Sequence, residues 1–349
     1  MSLMLLKEFF KKFPDEKSCV SFFKKVRLDN GIICPKCGCT EHSWLDGRQS
    51  FQCVKCGYRT PLTKGTVMEK SHLPLYSWFF TMHLMTSIKQ VLSAKEIQYQ
   101  LEMKAYSPVW LMMMKLRDIM GKRDSTYQLS GKIELDVSYF PTYEMQSRLS
   151  GEVEHMRNSQ KTTVLVMAES EAVDDVLAEY LSNISDNESI NKASRLLKKS
   201  EKQNIKKVVN YIKMYAMPNQ RFETIKPLVE KSIDSNSTLV TDGGKSLIGL
   251  KNLVDKLEQH LETEGEVHEV VTKTLPWVHI ITGECRSGIE AIHKEIDNRF
   301  LQLYLNEYCW KFNRRYFRDS KDPNYDLFYR LVKIASMYTS DIKWRDYNV

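Results

Sequence analysis

Two Cys-x2-Cys pairs, Cys34/Cys37 and Cys53/Cys56, constrain this chain more than any other feature. Fifteen residues separate the pairs, and a glycine follows each one (CPKCG, CVKCG). This spacing lets four thiolates converge on one tetrahedral zinc ion, so residues 31–60 are expected to fold as a four-cysteine ribbon. The segments SWLDG and SFQCV supply short β strands between the corners. Cys39 lies close by but outside the symmetric pattern. Four protein ligands leave no open coordination position, which makes such a zinc structural. The other cysteines of the eight are scattered, which fits a reducing cytoplasm better than a disulfide framework.

Around the ribbon the apolar period is helical. Residues 5–28 carry an apolar face of Phe9, Phe10, Phe13, Cys19, Phe22, Phe23 and Val26 between lysines. From Leu73, the stretches PLYSWFFTMHLMTS, SAKEIQYQLEM and SPVWLMMMKLRDIMGKR predict three helices. The last has Ser107 as N-cap and Pro108 at the first helical position. The tight KAYS connection makes these three look like a helix-turn-helix unit. Met112, Met113 and Met114 read as core packing.

Charge is unevenly divided. Residues 1–124 hold 20 Lys and Arg against 11 Asp and Glu, whereas the remainder holds 31 against 33. The basic excess therefore sits in the N-terminal third, as expected if that part touches a polyanion. A merely solvated basic surface is the alternative. No stretch reaches the roughly 18 apolar residues needed to span a bilayer. The N-terminal MSLMLLKEFFKKF lacks the apolar core and cleavage site of a signal peptide.

Beyond residue 130 the period changes to strands. KIELDVSYF alternates Ile133, Leu135, Val137 and Tyr139 against Glu134, Asp136 and Ser138. KTTVLVMAE (161–169), KKVVNYIKMYAMP (206–218) and STLVTD are further strands, RFETIKPLVEKSI is a helix, and the chain end is helical. This order predicts an α/β or α+β layer fold. Residues 170–205 are polar and read as an exposed insertion, with a helix at VDDVLAEYL. Three acids stand at the edges of apolar runs: Asp136 inside KIELDVSYF, Asp242 ending STLVTDGG, and Glu284 after LPWVHIITGE. Carboxylates from distant parts of a chain, each at the edge of a buried element, suggest divalent-metal binding and phosphodiester chemistry. Taken singly, a strand Asp is more often an edge residue and Asp-Gly-Gly a turn.

Several motifs in one order now support a resemblance. FPDEKSC, GIICPKCG, FQCVKCGYRT and LPLYSWFFTMHLM, then IELDVSYF, LVTDGG, LPWVHII and LQLYLNEYCWKFNRR, resemble the ISXO-like zinc-ribbon DDE transposases of bacterial insertion sequences. The resemblance covers nearly the whole chain except residues 170–205. It implies an RNase H-like catalytic domain at 126–349, preceded by an N-terminal helix and zinc ribbon (1–62) and a helix-turn-helix-like domain (63–125). The matching catalytic positions are Asp136, Asp242 and Glu284, expected to hold two Mg²⁺ or Mn²⁺ ions. Many relatives carry Asn at the third position and Lys two residues on; here Glu284 and Arg286 stand there. Glu290 and Glu307 are rivals for the third acid. The core stripe Leu301, Leu305, Tyr308 and Phe312 would leave Glu307 at the surface or supporting the ligands. Two departures concern the local shape of the site: Val137 replaces a frequent second acid, and Phe140-Pro141 replaces Gly-Gly.

The resemblance implies a cytoplasmic, nucleoid-associated enzyme that binds terminal inverted repeats, cuts DNA at element ends and transfers the 3′-OH to target DNA. Double-stranded DNA is the expected partner, with a homodimer or larger assembly on it and neither membrane nor small-molecule substrate. Candidate DNA contacts are Lys104, Lys115, Arg117, Lys122 and Arg123, with Arg314 and Arg315 as phosphate contacts or solvated charges. The competing readings are a transposase-derived DNA-binding protein that no longer cuts, and an RNase H-like nuclease without joining activity.

Overall fold

A computed structural model describes residues 4–146, 156–173, 177, 207–260, 275–315 and 326–346. Two compact units emerge, Met1–Asp124 with Asn306–Val349, and Ser125–Leu305. The catalytic span expected at 126–349 is thus divided, because the C-terminal helix packs with the N-terminal residues. The insertion expected near 170–205, including VDDVLAEYL, lies almost wholly outside the described residues.

In the first unit, the helix expected over 5–28 is two: α1 (Leu6–Lys12) and α2 (Glu16–Asp29). Pro14 disfavours helical geometry at Phe13, which sits at φ −124° and ψ 66°. Asp15 then restarts the helix, its carboxylate accepting from Ser18 N at 2.8 Å. The ribbon strands β1 (His42–Leu45), β2 (Ser50–Cys53) and β3 (Arg59–Pro61) form an antiparallel sheet. Next come α3 (Leu75–Ser87), α4 (Ala94–Gln100) and α5 (Tyr106–Asp124). Helix α5 begins one residue before the expected N-cap, leaving Ser107 and Pro108 in a first turn that tolerates proline. Met112, Met113 and Met114 are all buried, as expected of core residues. Glu16 accepts from Leu75 N and Tyr76 N at 2.8 Å each, satisfying the open end of α3.

The chain end returns to this unit as a helix over Leu327–Met337. Its Phe328 meets Phe9, Phe13 and Phe79 at ring-centroid distances of 5.9, 5.6 and 5.7 Å. His83 stacks on Phe9 at 4.8 Å, and burial pushes its imidazole down to about 4, so it stays neutral within the aromatic cluster.

The second unit is built on β4 (Lys132–Gln146), β5 (Met156–Ala172), β6 (Lys207–Met217), β7 (Thr238–Asp242) and β8 (Lys256–His260). Their spatial order is β6-β5-β4-β7-β8. Strands β4, β5 and β6 are antiparallel neighbours, whereas β4, β7 and β8 run parallel. With helices between and after the strands, this is the mixed α/β sheet of an RNase H-like domain. Helix α6 (Phe222–Ser232) covers one face, where Ile225 and Val229 pack with Ile133, Leu135, Leu165 and Leu239. Each such fully buried side chain contributes about 1.5–3 kcal/mol. Helix α7 (Pro276–His293) adjoins β4 and β5. Helix α8 (Leu301–Phe312) begins in this unit, where Gln302 bonds both Met214 O (3.0 Å) and Ala216 N (2.8 Å) of edge strand β6.

The two sequence departures prove benign to the strand. Pairing continues through Phe140↔Thr162 and Pro141↔Lys161 to Gln146↔Met156. Val137 packs against the α6-side core, on the face opposite Asp136.

Candidate functional site

At the ribbon, the chain reverses tightly after each cysteine pair. Gly38 N donates to Cys34 O and Gly57 N to Cys53 O, both at 2.9 Å. Both glycines have positive φ, 72° and 69°, which side-chain-bearing residues rarely adopt. Cys34 N and Cys53 N complete matching loops by donating to Cys39 O and Tyr58 O. The four sulfurs of Cys34, Cys37, Cys53 and Cys56 consequently lie within 4.8 Å of one another. Cys34–Cys56 and Cys37–Cys53 stand 3.6 and 3.5 Å apart. Sulfurs about 2.3 Å from a tetrahedral zinc would be separated by roughly 3.8 Å, so the donor set fits a structural zinc ion. Cys39 turns away, towards Glu41 O at 3.8 Å.

On the sheet, the strand period puts Glu134, Asp136 and Ser138 on the face covered by α7. Glu134 is wholly buried, and its carboxylate accepts from Trp277 N (2.8 Å) and Val278 N (3.3 Å). It thereby caps the start of α7, where Pro276 has no N–H to satisfy. Parallel pairing of β4 with β7 runs from Lys132↔Thr238 to Leu135↔Thr241. Asp136 and Asp242 are the next residue on each strand, hence level neighbours on the same face. Across β8, Asp242 pairs with His260.

Asp136 is 15% exposed, accepts from Val137 N at 2.7 Å, and lies 3.9 Å from His279 Nδ1 of α7. Asp242 is half-buried and accepts from Gly244 N at 3.3 Å. A Cβ at Gly244 would stand 3.1 Å from that same carboxylate oxygen, so glycine lets the turn close tightly.

Helix α7 also carries Arg286 and Glu284. Arg286 donates to Ser138 Oγ (3.2 Å) and Tyr139 O (2.5 Å) and lies over the Phe140 ring at 5.4 Å. Glu284 is exposed, as is Glu290. At about 100° per residue, Glu284 and Arg286 stand roughly 200° apart around the helix, so they face different directions. Among the described residues, the cysteine set is the single group of three or more acid, His or Cys ligand atoms within 4.8 Å. Asp136 and Asp242 are thus brought level, while Glu284 does not close a compact triad with them.

The basic candidates separate by burial. Arg117 is 1% exposed and donates to Glu307 at 2.7 Å and to Leu92 O at 3.2 Å. Arg314 is 7% exposed, grips Asp124 through two bonds of 2.7 and 3.2 Å, and stacks on Trp310. Both guanidinium groups turn inward. Glu307 is buried rather than superficial, and Lys311 joins it at 3.1 Å. Burial raises its carboxyl, but Lys311 and Arg117 outweigh that and hold it below the usual range. Lys115 is half-buried, and that burial lowers its ammonium. Lys122 bonds Asp118 and Thr339 O. Arg123 is half-buried. Arg315 bonds Phe312 O and lies over the Phe312 ring. Lys104 is exposed.

Sequence reasoning passed over Glu134 and His279. The alternation of KIELDVSYF already aligned Glu134 with Asp136, and His279 is a lone imidazole in the apolar run LPWVHII. No helix among the described residues is long and apolar enough to cross a membrane. Comparison with curated proteins finds no match. The family model described as ISXO2-like transposase domain matches residues 128–313, and that described as transposase zinc-ribbon domain matches residues 14–59.

Proposed function

This chain belongs to the ISXO2-like transposase family, and from that premise we propose that it binds the terminal inverted repeats of its own insertion sequence, cuts at the element ends and joins the freed 3′-OH to target DNA. One observation carries the reading: Asp136 and Asp242 directly follow Leu135 and Thr241, the last paired residues of two adjacent parallel strands. Two oxygen-donor carboxylates on rigid strands suit a hard divalent cation. Asp136 and Asp242 would hold Mg²⁺ or Mn²⁺, and Glu284 occupies the third acid's position in the family pattern. When bound, such ions activate an attacking oxygen and stabilise the leaving 3′ oxygen of an in-line displacement.

The chain's own groups do the rest. The sheet fixes the two aspartates, so no ordering cost falls on the reaction itself. Arg286, held against Ser138 and Tyr139, brings a cation near the site that offsets phosphate charge. In Met1–Asp124 with Asn306–Val349, 29 Lys and Arg oppose 17 Asp and Glu. That surplus supports DNA binding by this unit. Lys104 is its most exposed candidate contact, with Lys115, Lys122, Arg123 and Arg315 at its partly covered positions. Joining two element ends calls for at least two copies of the chain on DNA.

The test is strand nicking and joining on duplexes bearing the DNA ends that flank the gene, with Mg²⁺ or Mn²⁺. Metal-dependent 3′-OH formation and strand transfer by the wild type, absent in Asp242→Ala, is the expected result. Tight end-binding without cutting would instead favour a DNA-binding protein that has lost catalysis.

A further inference from the structure

His279 has no task in the carboxylate chemistry proposed above, yet it is an α7 side chain that stands beside Asp136. The 3.9 Å between its Nδ1 and Asp136 Oδ2 exceeds a hydrogen bond, whose N···O distance is about 2.7–3.2 Å. It lies within the range open to two donors of one cation: ligands about 2.1 Å from a shared ion stand between roughly 3 Å apart when adjacent and just over 4 Å when opposite. The second ring nitrogen, Nε2, is buried and has no hydrogen-bond partner among the described residues. Leaving a buried polar atom unpaired is costly, and among the described residues no hydrogen bond fixes the Nε2 end of the ring.

Helix geometry supports the same assignment. Arg286, two turns after His279, reaches Ser138 and Tyr139, so both mark the side of α7 turned to β4. Glu284 lies about 140° around the helix from His279. We infer that His279 supplies an imidazole nitrogen to the divalent cation held by Asp136. The inference rests on the metal-dependent reading above and adds a nitrogen donor to it. Imidazole is a softer donor than carboxylate, so it tilts the site away from Mg²⁺ and towards transition ions.

The experiment is pulsed electron paramagnetic resonance of Mn²⁺ added to the full-length, zinc-loaded chain. Wild type and His260→Ala should show imidazole ¹⁴N couplings on the bound Mn²⁺, and His279→Ala and His279→Asn should lose them. Mn²⁺ affinity in both His279 variants should fall by about 10-fold or more. Thermal melts matching wild type would confirm that they fold. Bound Mn²⁺ that is displaced by Asp136→Ala but shows no ¹⁴N coupling in wild type would overturn the inference and leave the carboxylate site standing. Couplings that persist in His279→Ala would overturn it equally. A wild type that binds no Mn²⁺ beyond the ribbon would overturn the metal-dependent reading as well.

Discussion

The ribbon and the sheet build their clusters over very different stretches of chain. Cys34 to Cys56 spans 23 residues, and its four sulfurs stand within 4.8 Å on two glycine-closed corners. Asp136 and Asp242 lie 106 residues apart and are level because β4 and β7 pair in parallel. The first arrangement depends on local turns and on the ion that joins them. The second depends on a sheet that folds around its own core, so the aspartates keep their places whatever they bind. A locally built metal site should therefore fail by unfolding, and a sheet-built site should fail by losing chemistry alone.

The sharpest way to break that contrast is to remove a ribbon ligand. Cys37→Ser should release the zinc, measured by elemental analysis, and open residues 31–61 to proteolysis. Structural zinc in small domains contributes roughly 10 kcal/mol or more to folding. Protection of Ser125–Leu305 should be unchanged; joint collapse would refute the contrast. Conversely, Asp136→Asn should lower strand cleavage by roughly 10³-fold or more with an unaltered melting curve. A large loss of stability there would mean that the acid serves the fold.

A third test compares distant pairing with local pairing inside the first unit. Arg117→Ala leaves Glu307 buried beside Lys311 alone and should cost about 3–5 kcal/mol in denaturant titration. The same carboxylate links stability to pH. Its value is lowered in the folded chain, so its contribution is complete above the unfolded value of about 4.3 and disappears as pH falls through the lower folded one. Glu307→Gln should accordingly flatten the acid limb of the stability profile. The smallest effect is local: Asp15→Ala removes the cap of α2 and should cost about 1 kcal/mol.

Much of this was legible in the sequence, and the reason differs by element. The cysteine spacing, the strand period around Asp136 and the buried methionines of α5 are short-range patterns that fix which residues share a corner or a face. Charge was harder to read. Arg117 and Arg314 look like surface cations until Glu307 and Asp124 are seen to meet them, and each of those partners is 190 residues away. Glu307 itself reads as a surface residue or one supporting the ligands, since a helical stripe gives no sign of what covers its other side. Glu284 and Arg286 occupy two neighbouring positions of the family pattern, but a helix turns them to different sides.

By itself, then, the sequence determined the ribbon, the alternation of strands and helices, and the family resemblance that singled out Asp136 and Asp242. Tertiary structure alone decided that the last helix joins the first unit, that two arginines become internal ion pairs, and that His279 stands beside Asp136. Backbone periodicity is set by neighbours a few residues away, whereas the fate of a charge or an imidazole depends on groups that only folding brings to it.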